Sequence, residues 1–388
     1  MEPLHGRIRP YAWGSRTVIA ELQGRPVPSL QPEAELWLGA HGGDPSTVER
    51  AEGAVSLLDL ITADPRAVLG EPVVERFGPR LPYLLKLLAA EEPLSLQAHP
   101  DPERARERYE AGDPNYVDPY HKPELLVAAG DFEALCGFRA PDSSAQLLRK
   151  LDVPALAPVV SILDTPGPAG ERLRAATTRL LEWPVDERPA LVSAVAQAAC
   201  RSADPDCAFA AGLADRYPGD VGVVVALLLN RVTLRPGEAV WMPAGNLHAY
   251  LRGTGVEIMA ASDNVLRGGL TPKRVDVPEL LRVLRFEVLA EPVVRPVAVA
   301  TGVVTWPVPV PDFALYRVTP GGSTVVLPVP GPRVVLCLSG EVTVDDGAGA
   351  LVLGRGRSAF GAATGGPLSL SGEGEAYVAT PGPTWLGG

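Results

Sequence analysis

The 388-residue chain is predicted to be mainly β, with an α-helical insertion and a second β domain at its C-terminal end. Three changes of texture carry this prediction. Short apolar runs separated by turn residues fill positions 1–139, apolar residues at helical spacing dominate 140–230, and β texture returns from 231 to the end. β texture on both sides of a helical block implies an insertion. The first β domain is therefore discontinuous, 1–139 closed by 231–286, with 140–230 inserted and 287–388 forming the second β domain.

Each element follows from local pattern. In the first segment "LPYLLKLLAA" and "ELLVAAGDFEALCGF" read as strands, with a few helices between them. In the insertion, "SSAQLLRKL", "ERLRAATTRLLEW" and "RPALVSAVAQAAC" carry helical spacing. Asp142 or Ser143 is the expected cap of the first of these helices and Asp186 of the third. "GDVGVVVALLLN" is a buried strand or a buried helix, and its periodicity does not decide. "RVTLRPGEAVWMPAGNLHAYL" reads as strand, turn at Pro236-Gly237, strand, loop, strand. "TPKRVDVPELLRVL" reads as a short helix behind a threonine cap. "RVVLCLSGEVTV" and "LVLGRGRSAF" read as two strand pairs with glycine turns, fitting a small second barrel or sandwich. The 40 glycines and 41 prolines are spread along the chain, which suits many short strands and turns better than a disordered tail.

Composition excludes several classes of function. A net charge of -11 argues against nucleic acid as a partner, while leaving room for a local basic pocket. Four cysteines without CxxC spacing argue against a disulfide framework or a structural zinc cluster, so a reducing cytoplasm is expected. The first residues lack the apolar core of a signal peptide. The longest apolar run, Val221 to Leu229, is too short to span a bilayer, so no membrane association is expected. A histidine-based site must draw on His5, His41, His99, His121 and His248.

Four stretches concentrate groups that can do chemistry. In "PLSLQAHPD", read as a strand, Leu94, Leu96 and Ala98 share one face and Ser95, Gln97 and His99 the other. Gln97 and His99 are half of a metal site, or else two polar side chains at a sheet edge. In "DPYHKPELL", His121, Lys122 and Glu124 place an imidazole, an ammonium and a carboxylate within four residues. The bland reading is a charged turn before a strand. In "PAGNLHAYL", His248 and Tyr250 share a strand face, as a metal ligand would or as a half-buried histidine would. Gln, His, Glu and His together suit Zn²⁺, with Fe²⁺ or Mn²⁺ as chemical competitors. The fourth stretch, Val256 to Val277, is dense in polar groups, including Glu257, Asp263, Arg267 and Lys273. Its Gly268 and Gly269 would permit close approach of a ligand. Arg267 and Lys273 are suited to phosphate or to a developing oxyanion; a mixed-charge surface loop is the alternative.

With "YAWGS", "AELWLGAH", "LPYLLKLL", "PLSLQAHPD", "HKPELLVA", "FEALCGFR" and "PAGNLHAYLRGTGVEIMAASDNVLRGGLTPK" in view, the chain resembles the type I phosphomannose isomerases over most of its first 290 residues. The resemblance implies a catalytic cupin domain, a helical insertion and a C-terminal cupin-like domain. It implies one zinc ion held by Gln97, His99, Glu124 and His248, and it places the family's active-site arginine on Arg267. The implied reaction interconverts mannose 6-phosphate and fructose 6-phosphate through an enediol or enediolate, in a protein expected to be monomeric. Its needs make Lys122, His121 and Asp263 candidate proton carriers. Ser95, Lys86, Arg267 or Lys273 would meet the phosphate, and Glu257 and Tyr250 would line the pocket. A related sugar-phosphate isomerase or epimerase, or a non-catalytic sugar-binding cupin, is the alternative. Two departures stand out: Tyr120 where the family often has Asn, and Gly42-Gly43 where a proline and a basic residue are common. The second β domain has no histidine and is expected to be metal-free and structural.

Overall fold

Two antiparallel sheets organise the computed structural model, which describes residues 1–51 and 53–382. The fold is a cupin architecture with helices added to it. The first sheet runs in the order Val293–Val294, Ala239–Met242, Glu124–Phe138, His248–Ala260, Tyr83–Ala90, Glu35–Leu38, Arg7–Arg9. The short strands Leu96–Ala98 and Leu266–Gly269 extend it from one end of His248–Ala260, and Leu229–Leu234 joins it on Glu124–Phe138.

Its two central strands are 15 and 13 residues long, far beyond the usual five or six, so they must bend to close around a core. The bend sits where pairing slips between Tyr250 and Arg252 and between Gly253 and Gly255. Gly253 has φ of +129°, and a Cβ there would lie 2.6 Å from the carbonyl oxygen of Asp131, so this corner needs glycine.

The second sheet is built from C-terminal strands around Arg333–Asp345 and Gly374–Thr380. Two sets of pairings cross between the predicted segments. Glu2–His5, with Thr47–Arg50 and Gly53–Ser56 beyond it, pairs onto Ser358–Gly361, while Val293–Val294 pairs with Ala239–Met242 of the first sheet. One apolar cluster joins the sheets, with Leu36, Leu85, Leu125 and Ile258 from the first packed against Leu315, Leu336 and Phe360 from the second.

The insertion folds as helices Pro141–Leu151, Ala157–Asp164, Ala169–Leu181, Arg188–Arg201, Pro205–Arg216 and Gly222–Ala226. Their buried stripes, such as Ala145, Leu148 and Leu151, pack on Leu96, Ala98, Leu247, Ala249 and Leu266 of the first sheet. The insertion therefore buries the back of the strands whose other face carries Gln97 and His248.

Several local expectations are corrected. The first inserted helix begins at Pro141, whose ring fixes a helical φ, so Asp142 and Ser143 lie inside its first turn. Ala140 is its N-cap and no side chain caps it; Asp142 instead pairs with Arg172. The helix Arg188–Arg201 is capped by Glu187 rather than Asp186, again without a side-chain bond. The late helix is Val277–Val283 and is capped by Asp276, which accepts from Glu279 N at 3.1 Å, not by a threonine. "GDVGVVVALLLN" divides between a one-turn helix, Gly222–Ala226, and a strand from Leu229. "RVVLCLSGEVTV" lies within one 13-residue strand, Arg333–Asp345, rather than a pair.

The insertion docks through bare backbone. A Cβ on Gly269, whose φ is +129°, would lie 2.6 Å from Gly222 Cα. Asp220 staples the same junction by accepting from Gly222 N at 2.7 Å and Thr271 N at 3.1 Å. Gly269→Ala is therefore expected to destabilise the protein by about 2–4 kcal/mol, combining backbone strain with a backbone clash. Equilibrium denaturant unfolding measures this, and an unchanged midpoint would contradict the close-approach argument.

Candidate metal centre and cavity

His99, Glu124 and His248 meet at the inner end of the first sheet. His248 stands opposite Gln97 in the strand register, and Gln97 stands opposite Arg267 on its other side. Directly opposed residues point to one face, so His248, Gln97 and Arg267 form a row. Glu124 opens the neighbouring long strand just after Pro123, opposite Met242 and Met259. His99 lies just beyond the end of Leu96–Ala98.

All three side chains are buried, and their potential ligand atoms lie within 4.8 Å of one another. Both imidazoles are oriented by backbone. His99 Nδ1 donates to Asn264 O at 2.7 Å, and His248 Nδ1 donates to Asn246 O at 3.1 Å. A carbonyl can only accept, so each Nδ1 carries a proton. Burial also pushes His99 down to about 4, which leaves its Nε2 as a bare lone pair near neutrality. The two Nε2 atoms then face Glu124 Oε2 at 3.3 and 3.2 Å. Among the described residues none of the three atoms has a hydrogen-bond partner, although all are buried.

In a neutral imidazole the proton on Nδ1 leaves Nε2 a lone pair; lone pairs aimed at a carboxylate oxygen repel unless a cation lies among them, and buried polar atoms left unpaired are costly. Nitrogen and oxygen donors with backbone-anchored imidazoles are the donor set of a zinc site. These residues thus fit a zinc ion. Gln97 lines the cavity and pairs in register with His248.

The centre lies at the base of a cavity of about 1040 Å³. Lys122 Nζ is 3.2 Å from the other oxygen of Glu124. A second buried network stands beside it. Lys86 Nζ is 2.9 Å from Glu257 and 3.6 Å from Glu35, Tyr250 OH donates to Glu257 at 2.7 Å, and Trp37 Nε1 donates to Glu35 at 2.6 Å. Burial alone would discharge Lys86, but Glu257 and Glu35 outweigh it and hold the ammonium above its ordinary range.

Arg267 is different. It lines the cavity, is partly desolvated, and has no carboxylate or other ion-pair partner among the described residues. Burial, unopposed, shifts it down from the usual guanidinium range. An uncompensated guanidinium in a cavity wall is a receptor for a ligand anion.

Of the residues singled out in the sequence, Ser95, Lys86, Gln97, Lys122, Glu124, Tyr250, Glu257, Asp263, Arg267 and Lys273 line this cavity, and His99 and His248 lie beneath it. His121 is not brought there. Its Nε2 lies 3.0 Å from Asp312 Oδ2, in the C-terminal part of the chain. Leu94, expected to face the core with Leu96 and Ala98, lines the cavity, because the strand only begins at Leu96. Tyr120 is outside the lining, beneath the guanidinium of Arg80 at 3.6 Å from its ring centre.

Sequence reading assigned no role to Tyr11, Trp13, Glu35 and Trp37, which also line the cavity. They lie in "YAWGS", marked by two aromatics at alternate positions, and in "AELWLGAH", marked by an aromatic two residues from a carboxylate. Arg216, Tyr217 and Asp220 reach the cavity from the insertion, and nothing local marks them.

A cupin fold with a buried His–Glu–His set at the base of a charged cavity defines a metal-dependent enzyme of the cupin class. Residues 1–141 match the family described as phosphomannose isomerase type I, catalytic domain. The chain is 37% identical over 393 residues to mannose-6-phosphate isomerase of Escherichia coli (strain K12), covering 96% of this chain and 98% of that protein. It is 34% identical to the Homo sapiens mannose-6-phosphate isomerase over 73% of each chain. Among solved structures, a mutant of phosphomannose isomerase from Salmonella typhimurium superposes with a TM-score of 0.92 at 35% identity, covering 98% of this chain and 99% of that one. A mannose 6-phosphate isomerase bound with zinc and yttrium does so with a TM-score of 0.90 at 35% identity over the same shares. The chain belongs to the type I phosphomannose isomerase family and is an isomerase.

Proposed function

We propose that this chain interconverts mannose 6-phosphate and fructose 6-phosphate, with a zinc ion held by Gln97, His99, Glu124 and His248. The observation that carries the reading is the convergence of three unpartnered buried atoms at the base of a cavity whose wall presents Arg267 without a counter-charge. When bound, the ion supplies Lewis acidity to sugar oxygens. Four free thiols support a cytoplasmic location, and no helix among the described residues is long and apolar enough to cross a membrane. The same reading divides the chain into a catalytic cupin domain (1–139 with 231–286), a helical insertion (140–230) and a C-terminal cupin-like domain (287–388).

The chain's own groups divide the work. Lys86 is committed to Glu257 and Glu35, so this network with Tyr250 is suited to binding sugar hydroxyls. Lys273 and Ser95 lie on the cavity wall and are suited to take the phosphate. Arg267, next to Gln97 in the strand register, faces the charge that develops on oxygen. Asp263 takes the proton from C2 while the C1–C2 double bond forms and the carbonyl electron pair moves onto O1. Lys122 protonates O1, giving the enediol. The C2 hydroxyl then gives its proton back to Lys122 and becomes the ketone, as Asp263 returns its proton to C1.

A coupled assay supplied with each sugar phosphate, on protein of measured metal content, tests this. Chelation is expected to lower turnover at least about 100-fold, and zinc to restore it. Full turnover after verified metal removal, or none in fully loaded protein, would defeat the reading.

A further inference from the structure

We propose that His41 is a positioning residue for the reaction, holding the Asp263 carboxylate in place through its Nε2. The inference rests on Asp263 being the proton carrier. His41 lies outside the cavity lining, and its side chain is only 9% exposed, so it acts through its neighbour and not on substrate.

The geometry orients the ring from both sides. The backbone N–H of Gly43 donates to His41 Nδ1 at 3.1 Å, so the proton of the neutral ring must reside on Nε2. That Nε2 lies 3.3 Å from Asp263 Oδ1. The ring packs edge-on to Trp37, with centroids 4.8 Å apart. Trp37 is itself fixed through Nε1 to Glu35 in the cavity wall. The Gly42-Gly43 departure thus falls on the turn that supplies the orienting N–H.

Asp263 needs such a hold. Its side chain is 54% exposed, and no other side-chain donor among the described residues bonds its carboxylate. Its backbone is already placed, because Asp263 N donates to Asp118 Oδ2 at 2.8 Å. The neighbouring Asn264 O accepts from His99. What remains free is the carboxylate rotor, and His41 is the group that faces it.

The electrostatics agree in sign. His41 first, then Lys122 and Lys86, which line the cavity, keep Asp263 below the usual carboxylate range against the effect of burial. Removing the Nε2–H moves the carboxylate up toward its ordinary value. The base is then lost at a higher pH, and the acidic limb of kcat/KM shifts upward.

Four variants test the proposal: His41→Leu, His41→Asn, His41→Gln and Asp263→Asn, each checked for zinc content. Gln can place an amide N–H near the Nε2 position, whereas Asn is too short and Leu has no donor. His41→Leu and His41→Asn are expected to move the acidic limb up by about one pH unit. They should also lower kcat about tenfold with little change in KM, because a loosened base misses its target. His41→Gln should recover most of both. An unmoved limb in His41→Leu, or equal losses in His41→Gln and His41→Asn, would overturn the role of His41. If His41→Leu fails to fold, the Gln and Asn pair decides. Asp263→Asn separates the two ideas: near wild-type turnover in that variant would remove the proton carrier itself, whereas its loss beside an unmoved limb would remove only His41.

Discussion

Replacing His248 with alanine is expected to empty the metal site and to lower isomerase turnover by at least about 1,000-fold. The side chain is 1% exposed and aims its Nε2 at Glu124 Oε2, so no solvent-borne group can substitute for it without entering a packed wall. Losing one strong donor leaves His99 and Glu124, to which the proposed ligand set adds only the amide of Gln97, a weak donor. Outer partners of metal ligands alone are worth about 10–100-fold in affinity, and a direct ligand exceeds that. A second readout comes from ligand linkage. Zinc at one hundred times its Kd stabilises the wild-type protein by about 2.7 kcal/mol, and the same addition should do far less for the variant. Metal analysis, kcat and thermal midpoints with and without zinc measure all three effects. A variant that still carries one zinc per chain would show that the ion sits elsewhere.

How far this centre was legible in the sequence depends on how local each signal is. Gln97, His99, Glu124 and His248 sit in compact motifs, and strand alternation alone places His248 with Tyr250 on one face, as found. The partners that orient them are not local. The carbonyls of Asn264 and Asn246 carry no side-chain signature, because any residue could supply them. The same holds for helix starts. Asp276 caps its helix with Glu279 three positions on, a pattern present in the sequence, but the nearby Thr-Pro pair competes with it on paper. Arg216 and Asp220 reach the cavity only because Gly222 lets the insertion touch the backbone of Gly269, a tertiary contact that no window of residues contains. His121 shows the converse. It stands beside Lys122 and Glu124, yet Pro123 holds the chain before it extended, so successive side chains point opposite ways and His121 meets Asp312 instead of the site.

Arginine 267 offers the sharper test of chemistry against binding. Arg267→Ala should keep its zinc and its fold, because the guanidinium has no ion pair to break among the described residues and is not in the His–Glu–His set. Its removal should nevertheless cost about 100- to 1,000-fold in kcat, about 3–4 kcal/mol, the usual consequence of deleting one donor from a site of developing negative charge. The position on the strand explains why the effect should fall on kcat. Arg267 is paired with Gln97, itself paired with His248, so the three reach one face and the cation lies beside the metal end of the cavity. A cation serving only the phosphate would instead raise KM and leave kcat nearly unchanged, since phosphate charge is the same in ground and transition states. Arg267→Lys should restore little, because a point charge on a different stem does not reproduce a planar fork of donors. Steady-state kinetics on zinc-verified protein separate the cases. Loss confined to KM would move Arg267 to the phosphate end, and unchanged kinetics would remove it from the site altogether.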